Sequence, residues 1–229
     1  MLKFSNVQNY FCSLEFWSLK NCFGFRYSDF GFSRKLTKQK LRSSFEMSYG
    51  VALEKAWSKL KDLSEEKLLS IKFLSDEYSV DIDDRKILSL SCNAPAKEYY
   101  TILILHFLAQ KLISLPELSG EWISFQELAG GQGYFAAFKK RAIEPIIRKY
   151  GKNPDSLLEI IERFPAKTVK LGDVSVVIEV FENVPVLITF WRGDEEFGPE
   201  ANMLFDKNIT QIFCTEDIAV LSGIIAGLI

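Results

Sequence analysis

A run of carboxylates follows an apolar, strand-like segment near the C-terminal end of the chain. Residues 191–200 read Trp-Arg-Gly-Asp-Glu-Glu-Phe-Gly-Pro-Glu. Asp194, Glu195 and Glu196 offer the hard oxygen ligands that divalent cations prefer, and paired carboxylates also suit acid–base catalysis. The spacing matches no EF-hand loop. We treat these three residues as candidate metal ligands, against the simpler interpretation that they form a solvated loop.

A second candidate is the glycine-rich segment Ala-Gly-Gly-Gln-Gly-Tyr at residues 129–134, which precedes a helix-like segment carrying Lys139, Lys140 and Arg141. Backbone N–H groups at a helix start, with cations nearby, can hold an anion. The segment is neither a P-loop nor a dinucleotide fingerprint, and a loop that needs positive φ is the simpler explanation. The candidate ligand-binding residues are Trp122, Gly131, Gly133, Tyr134, Arg141, Trp191 and Arg192.

Other chemistries find little support among the residue types present. The single histidine, His106, lies in an almost entirely apolar segment, which favours a hydrogen-bonded core histidine over a ligand or base. The four cysteines, Cys12, Cys22, Cys92 and Cys214, form no C-x-x-C pair and match no common zinc or iron–sulfur spacing. Unpaired thiols are typical of a reducing compartment, so we expect a cytoplasmic protein.

Composition indicates a soluble globular protein, because 48% of the 229 residues are hydrophobic and 25% are charged. The net charge of −2 hides an asymmetry: residues 1–46 carry eight basic and three acidic side chains, and residues 47–229 carry 20 basic and 27 acidic ones. An acidic main body argues against nucleic-acid binding. No apolar run reaches the roughly 20 residues that span a bilayer, so we expect no membrane segment.

Residues 1–46 form an atypical N-terminal extension that we expect to be poorly ordered. They contain eight of the 19 phenylalanines, interspersed with Lys, Arg and Ser, and have no sustained helical or strand period. A targeting segment and an upstream extension before a natural start at Met47 are both open, and we favour the second. The remaining residues, 47–229, are predicted to form a single α+β domain.

The pattern after Met47 alternates helices with strand meanders. Apolar residues at helical spacing predict a helix around residues 51–63, and period-two alternation predicts three strands between residues 71 and 91. Residues 99–113 are apolar nearly all round and predict a central buried helix. A second meander over residues 168–191 contains a central strand, and a C-terminal helix follows. The predicted fold is α+β, with antiparallel meanders packed against these two helices.

Two segments carry a family resemblance. Residues 121–143, Glu-Trp-Ile-Ser-Phe-Gln-Glu-Leu-Ala-Gly-Gly-Gln-Gly-Tyr-Phe-Ala-Ala-Phe-Lys-Lys-Arg-Ala-Ile, and residues 191–206 with Glu-Asp-Ile-Ala-Val-Leu at 216–221 resemble an uncharacterised prokaryotic family, the domain of unknown function 3786. The resemblance spans about residues 48–229. It implies anaerobic metabolism with an iron–sulfur or corrinoid protein partner, although this chain lacks the cysteine motifs of an attached iron–sulfur domain.

The sequence specifies neither a reaction nor a cofactor. We expect a protein that binds a small anionic or metal-linked cofactor in a cleft between the Gly-rich loop and the acidic loop. A divalent-metal-dependent enzyme that uses paired carboxylates is one alternative. A structural or assembly partner with no small-molecule site is the other.

Overall fold

The computed structural model describes the backbone of residues 38–229 and the side chains of residues 49–229. Its first helix, α1, spans Lys38–Leu63. The predicted boundary between residues 46 and 47 therefore falls inside a helix. Residues 1–37 lie outside the described part of the chain, so the expectations for the extension stay predictions.

A three-stranded antiparallel meander follows α1. Its strands are β1 (Leu68–Phe73), β2 (Asp76–Asp81) and β3 (Lys86–Ser89), in the order β1-β2-β3. Tyr78 and Val80 on β2 are buried, while Ser79 between them and Asp81 after them are half-buried, which is the alternation that the sequence predicted. The first predicted meander is confirmed.

Helix α2, Glu98–Ile113, is the central helix. Seven of its residues, Ile102, Leu103, Ile104, Leu105, Phe107, Leu108 and Ala109, are buried. Phe107 stacks on Phe181 of the second sheet with a centroid distance of 4.5 Å, and Phe181 stacks on Phe73 of β1 at the same distance. This ladder of three rings joins α2 to both sheets, and the predicted central buried helix is confirmed.

The second sheet has five antiparallel strands in the order β4-β8-β7-β6-β5. In chain order these are Trp122–Ser124, Ala166–Thr168, Val174–Phe181, Val184–Trp191 and Glu200–Asp206. Strand β7 lies in the middle, as its apolar residues on both faces predicted. Strand β4 was not predicted, because its three residues look like the approach to a helix and pair with β8 about 80 positions later.

A long helical stretch connects β4 to β5. It consists of α3 (Gly131–Phe138), a π-helical turn (Lys139–Ile143) and α4 (Glu144–Tyr150), followed by the 3₁₀ run Pro154–Glu162. Pro145 has no N–H for the carbonyl of Arg141, and its ring would crowd that carbonyl in a regular α-helix. The π-helical turn relieves this conflict by widening the backbone just before the proline.

Helix α5, Thr215–Leu228, closes the fold. It packs against the π-helical turn, and its apolar residues join one buried cluster that includes α2 and both sheets. The residue before it, Cys214, occupies the N-cap position. The hydroxyl of Thr215, the first helical residue, donates a hydrogen bond to the Ala129 carbonyl at 2.8 Å. The described residues therefore have the predicted α+β fold.

Candidate functional site

The Gly-rich loop is explained first by packing. Gly130 has φ +75° and caps α3, and the Gly131 N–H donates to the Leu128 carbonyl at 2.9 Å. A Cβ on Gly131 would lie 1.9 Å from the Phe125 carbonyl oxygen, so no other residue fits there. A Cβ on Gly133 would meet nothing within 4 Å. Gly131 thus serves the close approach of two segments, and its N–H is already engaged.

The acidic loop is closed by one of its own carboxylates. Asp194 Oδ1 accepts hydrogen bonds from the backbone N–H groups of Phe197 at 2.7 Å and Glu196 at 2.8 Å, and these bonds hold the pKa of Asp194 below its usual range. Glu195 and Glu196 are exposed. Within the described residues, no three His, Cys, Asp or Glu side chains converge as a metal site would require.

Arg192 links the acidic loop to the 3₁₀ run. Its guanidinium lies 2.6 Å from the Asp155 carboxylate, which raises the pKa of Arg192, and its backbone N–H donates to Asp173 at 2.8 Å. The indole of its neighbour Trp191 lies so close to Gly172 that a Cβ there would be 3.2 Å from the ring. These contacts give Arg192 and Trp191 a structural role at the end of β7.

The two candidate tryptophans lie at opposite ends of β8. Trp122 pairs with Asp206 and Trp191 pairs with Glu200. The two partners are six residue steps apart on an extended chain, which corresponds to about 20 Å. The structure does not bring Trp122 and Trp191 into one pocket.

Tyr134 and Arg141 do come together. The Arg141 guanidinium donates to the Tyr134 hydroxyl at 2.5 Å, and its central carbon lies 5.9 Å from the centre of the same ring. The two residues are seven positions apart on one face of the α3–π stretch. Tyr134 therefore fixes the position of the Arg141 side chain.

Arg141 lines a groove of about 520 Å³ between α4 and α5. We call it the α4–α5 groove. Its lining residues are Arg141, Pro145, Arg148, Lys149, Gly223, Ala226, Gly227 and Ile229. Lys149 donates to the Ile229 carbonyl. Arg148 is exposed, and within residues 49–229 it makes no hydrogen bond or ion pair. The groove thus holds one positioned and one unengaged guanidinium.

The α5 side of the groove consists of small residues. A Cβ on Gly223 or on Gly227 would meet nothing within 4 Å. Each glycine costs a helix roughly 1 kcal/mol relative to alanine, and no neighbouring atom of the described chain requires that cost here. The π-helical turn that contains Arg141 has the proline as its local cause, and such turns are frequent at functional sites.

The groove lies in a basic part of an acidic body. Between residues 139 and 152 there are six basic side chains and one acidic one, Glu144. We call these basic residues the basic strip: Lys139, Lys140, Arg141, Arg148, Lys149 and Lys152. Residues 47–229 as a whole carry seven more acidic than basic side chains. An anion that approaches this surface is therefore attracted to one strip.

The groove contains one residue that the sequence singled out as ligand-binding, Arg141. The predicted cleft involves Tyr134, which contacts Arg141, and the acidic loop, whose Pro199 lies beside Gly151. Arg141 and Gly151 are ten residues apart along the helical stretch, or about 15 Å. The shared cleft between the two loops stays a prediction.

Sequence reasoning missed Arg148, Lys149, Gly223 and Gly227. Two signals point to them. Arg141 and Arg148 repeat at seven residues within a basic run, which places them on one helix face. Gly223 and Gly227 repeat at four residues within an otherwise apolar helix, where glycine is unfavourable. Neither signal shows that the two helices pack side by side.

The described residues define an α+β domain with a basic groove between two of its helices. The chain belongs to the family described as Domain of unknown function (DUF3786), whose family model matches residues 53–227. This match confirms the resemblance that the two motifs carried. No curated protein and no solved structure matches the chain. Among residues 38–229, no helix is both long and apolar enough to cross a bilayer.

Proposed function

We propose that this protein binds a small anionic ligand in the α4–α5 groove. The observation that carries the proposal is the pairing of a positioned guanidinium, Arg141, with an unengaged one, Arg148, along the same concave surface. Guanidinium groups bind carboxylates and phosphates through paired N–H donors, and they are always charged at physiological pH.

The volume of the groove and the electrostatic field of the basic strip around it support this proposal. A volume of about 520 Å³ falls within the range of roughly 300–1,000 Å³ that is usual for small-molecule sites. The surrounding basic strip raises the local concentration of anions, and the acidic remainder of the body repels them from other surfaces. Tyr134 holds Arg141 before the ligand arrives, which lowers the entropic cost of binding.

The finer expectations belong to this proposal as well. The ligand is either a free anion or an anionic, metal-linked cofactor, and the family resemblance favours a cytoplasmic role in anaerobic metabolism with an iron–sulfur or corrinoid protein partner. The acidic loop does not line this groove. Metal analysis and the visible absorbance of the purified full-length chain distinguish a free anion from a metal-linked cofactor.

A titration tests the proposal. The full-length chain is titrated calorimetrically with pyrophosphate, citrate, nucleotides and corrinoids. We expect at least one of these ligands to bind and to raise the melting temperature. Arg148→Glu should weaken that binding at least about tenfold, because it removes one cation and introduces a repulsive charge.

Lys170→Glu is the matched control, because Lys170 is an exposed lysine outside the basic strip that undergoes the same charge change. It should leave the affinity within about twofold of the wild-type value. The proposal fails if none of the four probes binds, or if Arg148→Glu and Lys170→Glu have the same effect.

A further inference from the structure

The two arginines of the α4–α5 groove stand at separate positions along it. Arg141 and Arg148 are seven residues apart on one helix face, which corresponds to about 10 Å along the axis. Pro145 lies between them and carries no charge or N–H donor. At this backbone spacing, a ligand with two anionic groups would place one group at each arginine.

The opposite wall has the shape that the middle of such a ligand requires. Gly223 and Gly227 lie on adjacent turns of α5, with Ala226 beside them, and none of the three offers a charge or a long side chain. The space above both glycines is open, because a Cβ at either position would meet no atom within 4 Å beyond the adjacent backbone of α5 itself. The packing of the described chain does not explain why these two positions lack a side chain.

We propose, resting on the proposed function, that the ligand is elongated, with an anionic group at each end and an uncharged body between them. One end binds Arg141 beside the Tyr134 hydroxyl, and the other end binds Arg148. The body lies against the α5 wall formed by Gly223, Ala226 and Gly227, where the absence of side chains on the glycines leaves room for it. The chemical class is therefore a dicarboxylate or bisphosphate with an apolar or flat spacer.

The chain-length dependence of binding tests this inference. The full-length chain is titrated with linear α,ω-dicarboxylates from succinate to dodecanedioate, and with decanoate and pyrophosphate for comparison. Affinity should rise with length and be greatest where the two carboxylates can be about 10 Å apart. At that length the dicarboxylate should bind at least tenfold more tightly than decanoate, which carries one anionic group.

Substitutions in the α5 wall give a second readout, in which the melting temperature rises while the affinity for the ligand falls. Gly227→Ala should raise the melting temperature, since alanine favours a helix, and yet weaken binding of the best dicarboxylate. Gly227→Leu should weaken that binding at least tenfold. Gly50→Ala is the control: Gly50 is an exposed glycine of α1 with open space around it, so it should raise the melting temperature without changing the affinity.

Each result decides between the two claims. If pyrophosphate binds as tightly as the best dicarboxylate and Gly227→Leu has no effect, the elongated-ligand inference fails while anion binding at the groove stands. If citrate, a nucleotide or a corrinoid binds but no dicarboxylate does, the elongated-ligand inference fails alone. If no dicarboxylate and none of the four earlier probes binds, the proposed function fails with it.

Discussion

Gly131 and Gly133 were both candidate ligand residues, and the structure gives them opposite roles. Gly131→Ala should destabilise the fold by at least about 2 kcal/mol, because the new Cβ would lie 1.9 Å from a backbone oxygen that cannot move away independently. Gly133→Ala should stabilise it by about 0.5–1 kcal/mol, since alanine favours the helix and the space is open. Urea unfolding of the two variants measures both changes, and equal effects would contradict the assigned packing role.

Asp206 is a buried residue whose carboxylate holds a loop in place. It is 5% exposed and accepts hydrogen bonds from the backbone N–H groups of Ser119, Gly120 and Asn208 at 2.9–3.1 Å. Asp206→Asn should lower the free energy of unfolding by about 2–4 kcal/mol, since an amide has one acceptor oxygen for these three N–H groups and the Ser119 hydroxyl, which also donates to the carboxylate. Asp84→Asn, at an exposed surface ion pair with Lys86, should change it by less than about 1 kcal/mol.

The same carboxylate gives stability a pH dependence with a definite sign. Burial opposes ionisation of Asp206, but the backbone and Ser119 donors outweigh it and hold the pKa below its usual value. The stabilisation is therefore present above the unfolded pKa of about 3.9 and is lost as the pH falls through the lower folded pKa. Urea unfolding at pH 7 and pH 3 should show the gap between wild type and Asp206→Asn narrowing in acid, and a widening gap would refute the assignment.

At the scale of elements, the sequence predicted what local periodicity determines. The strands of the first meander, α2 and the central strand β7 were all recognisable from the spacing of their own apolar residues. Strand β4 was not, because three residues carry too little periodicity and the strand exists only by pairing with distant β8. Pro145 predicted an interruption of its helix, but the π-helical turn before it follows from the backbone geometry.

The candidate site depends even more than the strands on contacts between distant parts of the chain. Arg141 was found because it follows a glycine loop in the chain. Arg148, Gly223 and Gly227 become meaningful only when α4 lies against α5, and that arrangement depends on the packing of the whole core. The acidic loop was a candidate because of its composition, yet Asp194 accepts hydrogen bonds from the backbone of its own loop. Composition therefore located charges, and packing determines which charges share a cavity.

A polar contact between His106 and Asp217 joins helices α2 and α5. His106 Nδ1 lies 2.9 Å from Asp217 Oδ2, and the two side chains are 24% and 10% exposed. The expected hydrogen bond of His106 is present, on a half-buried ring. A double-mutant cycle with His106→Gln and Asp217→Asn should give a coupling energy of about 1–2 kcal/mol in urea unfolding.

The more exposed pair Lys111–Glu182 provides the control for this cycle, with side chains 40% and 56% exposed. Its coupling should stay below about 1 kcal/mol, because solvent screens a surface ion pair. A coupling at His106–Asp217 no larger than the control value would mean that the buried contact adds nothing to the attachment of α5.

At the scale of the whole molecule, the charge distribution separates two ways in which the chain acts on an anion. Arg141 and Arg148 line the groove and touch a bound ligand in our proposal, whereas Lys139 and Lys140 are exposed on the same strip and do not line it. Contact interactions persist when salt is added, and the attraction from more distant exposed charges is screened. Salt therefore distinguishes the two contributions.

Reversing Lys139 and Lys140 together to Glu should weaken binding of the best dicarboxylate about tenfold near 20 mM salt, because the strip loses most of its positive field. Near 1 M salt, where the screening length is about 3 Å, the affinity of this variant should approach that of the wild type. Arg148→Glu should bind the dicarboxylate more weakly than wild type at both salt concentrations, since it removes a contact.

The double reversal Lys167→Glu with Lys170→Glu changes the net charge equally outside the strip and should have little effect on the affinity. If the Lys139 and Lys140 reversal weakens binding equally at both concentrations, the two lysines contact the ligand directly, and the groove is larger than its present lining.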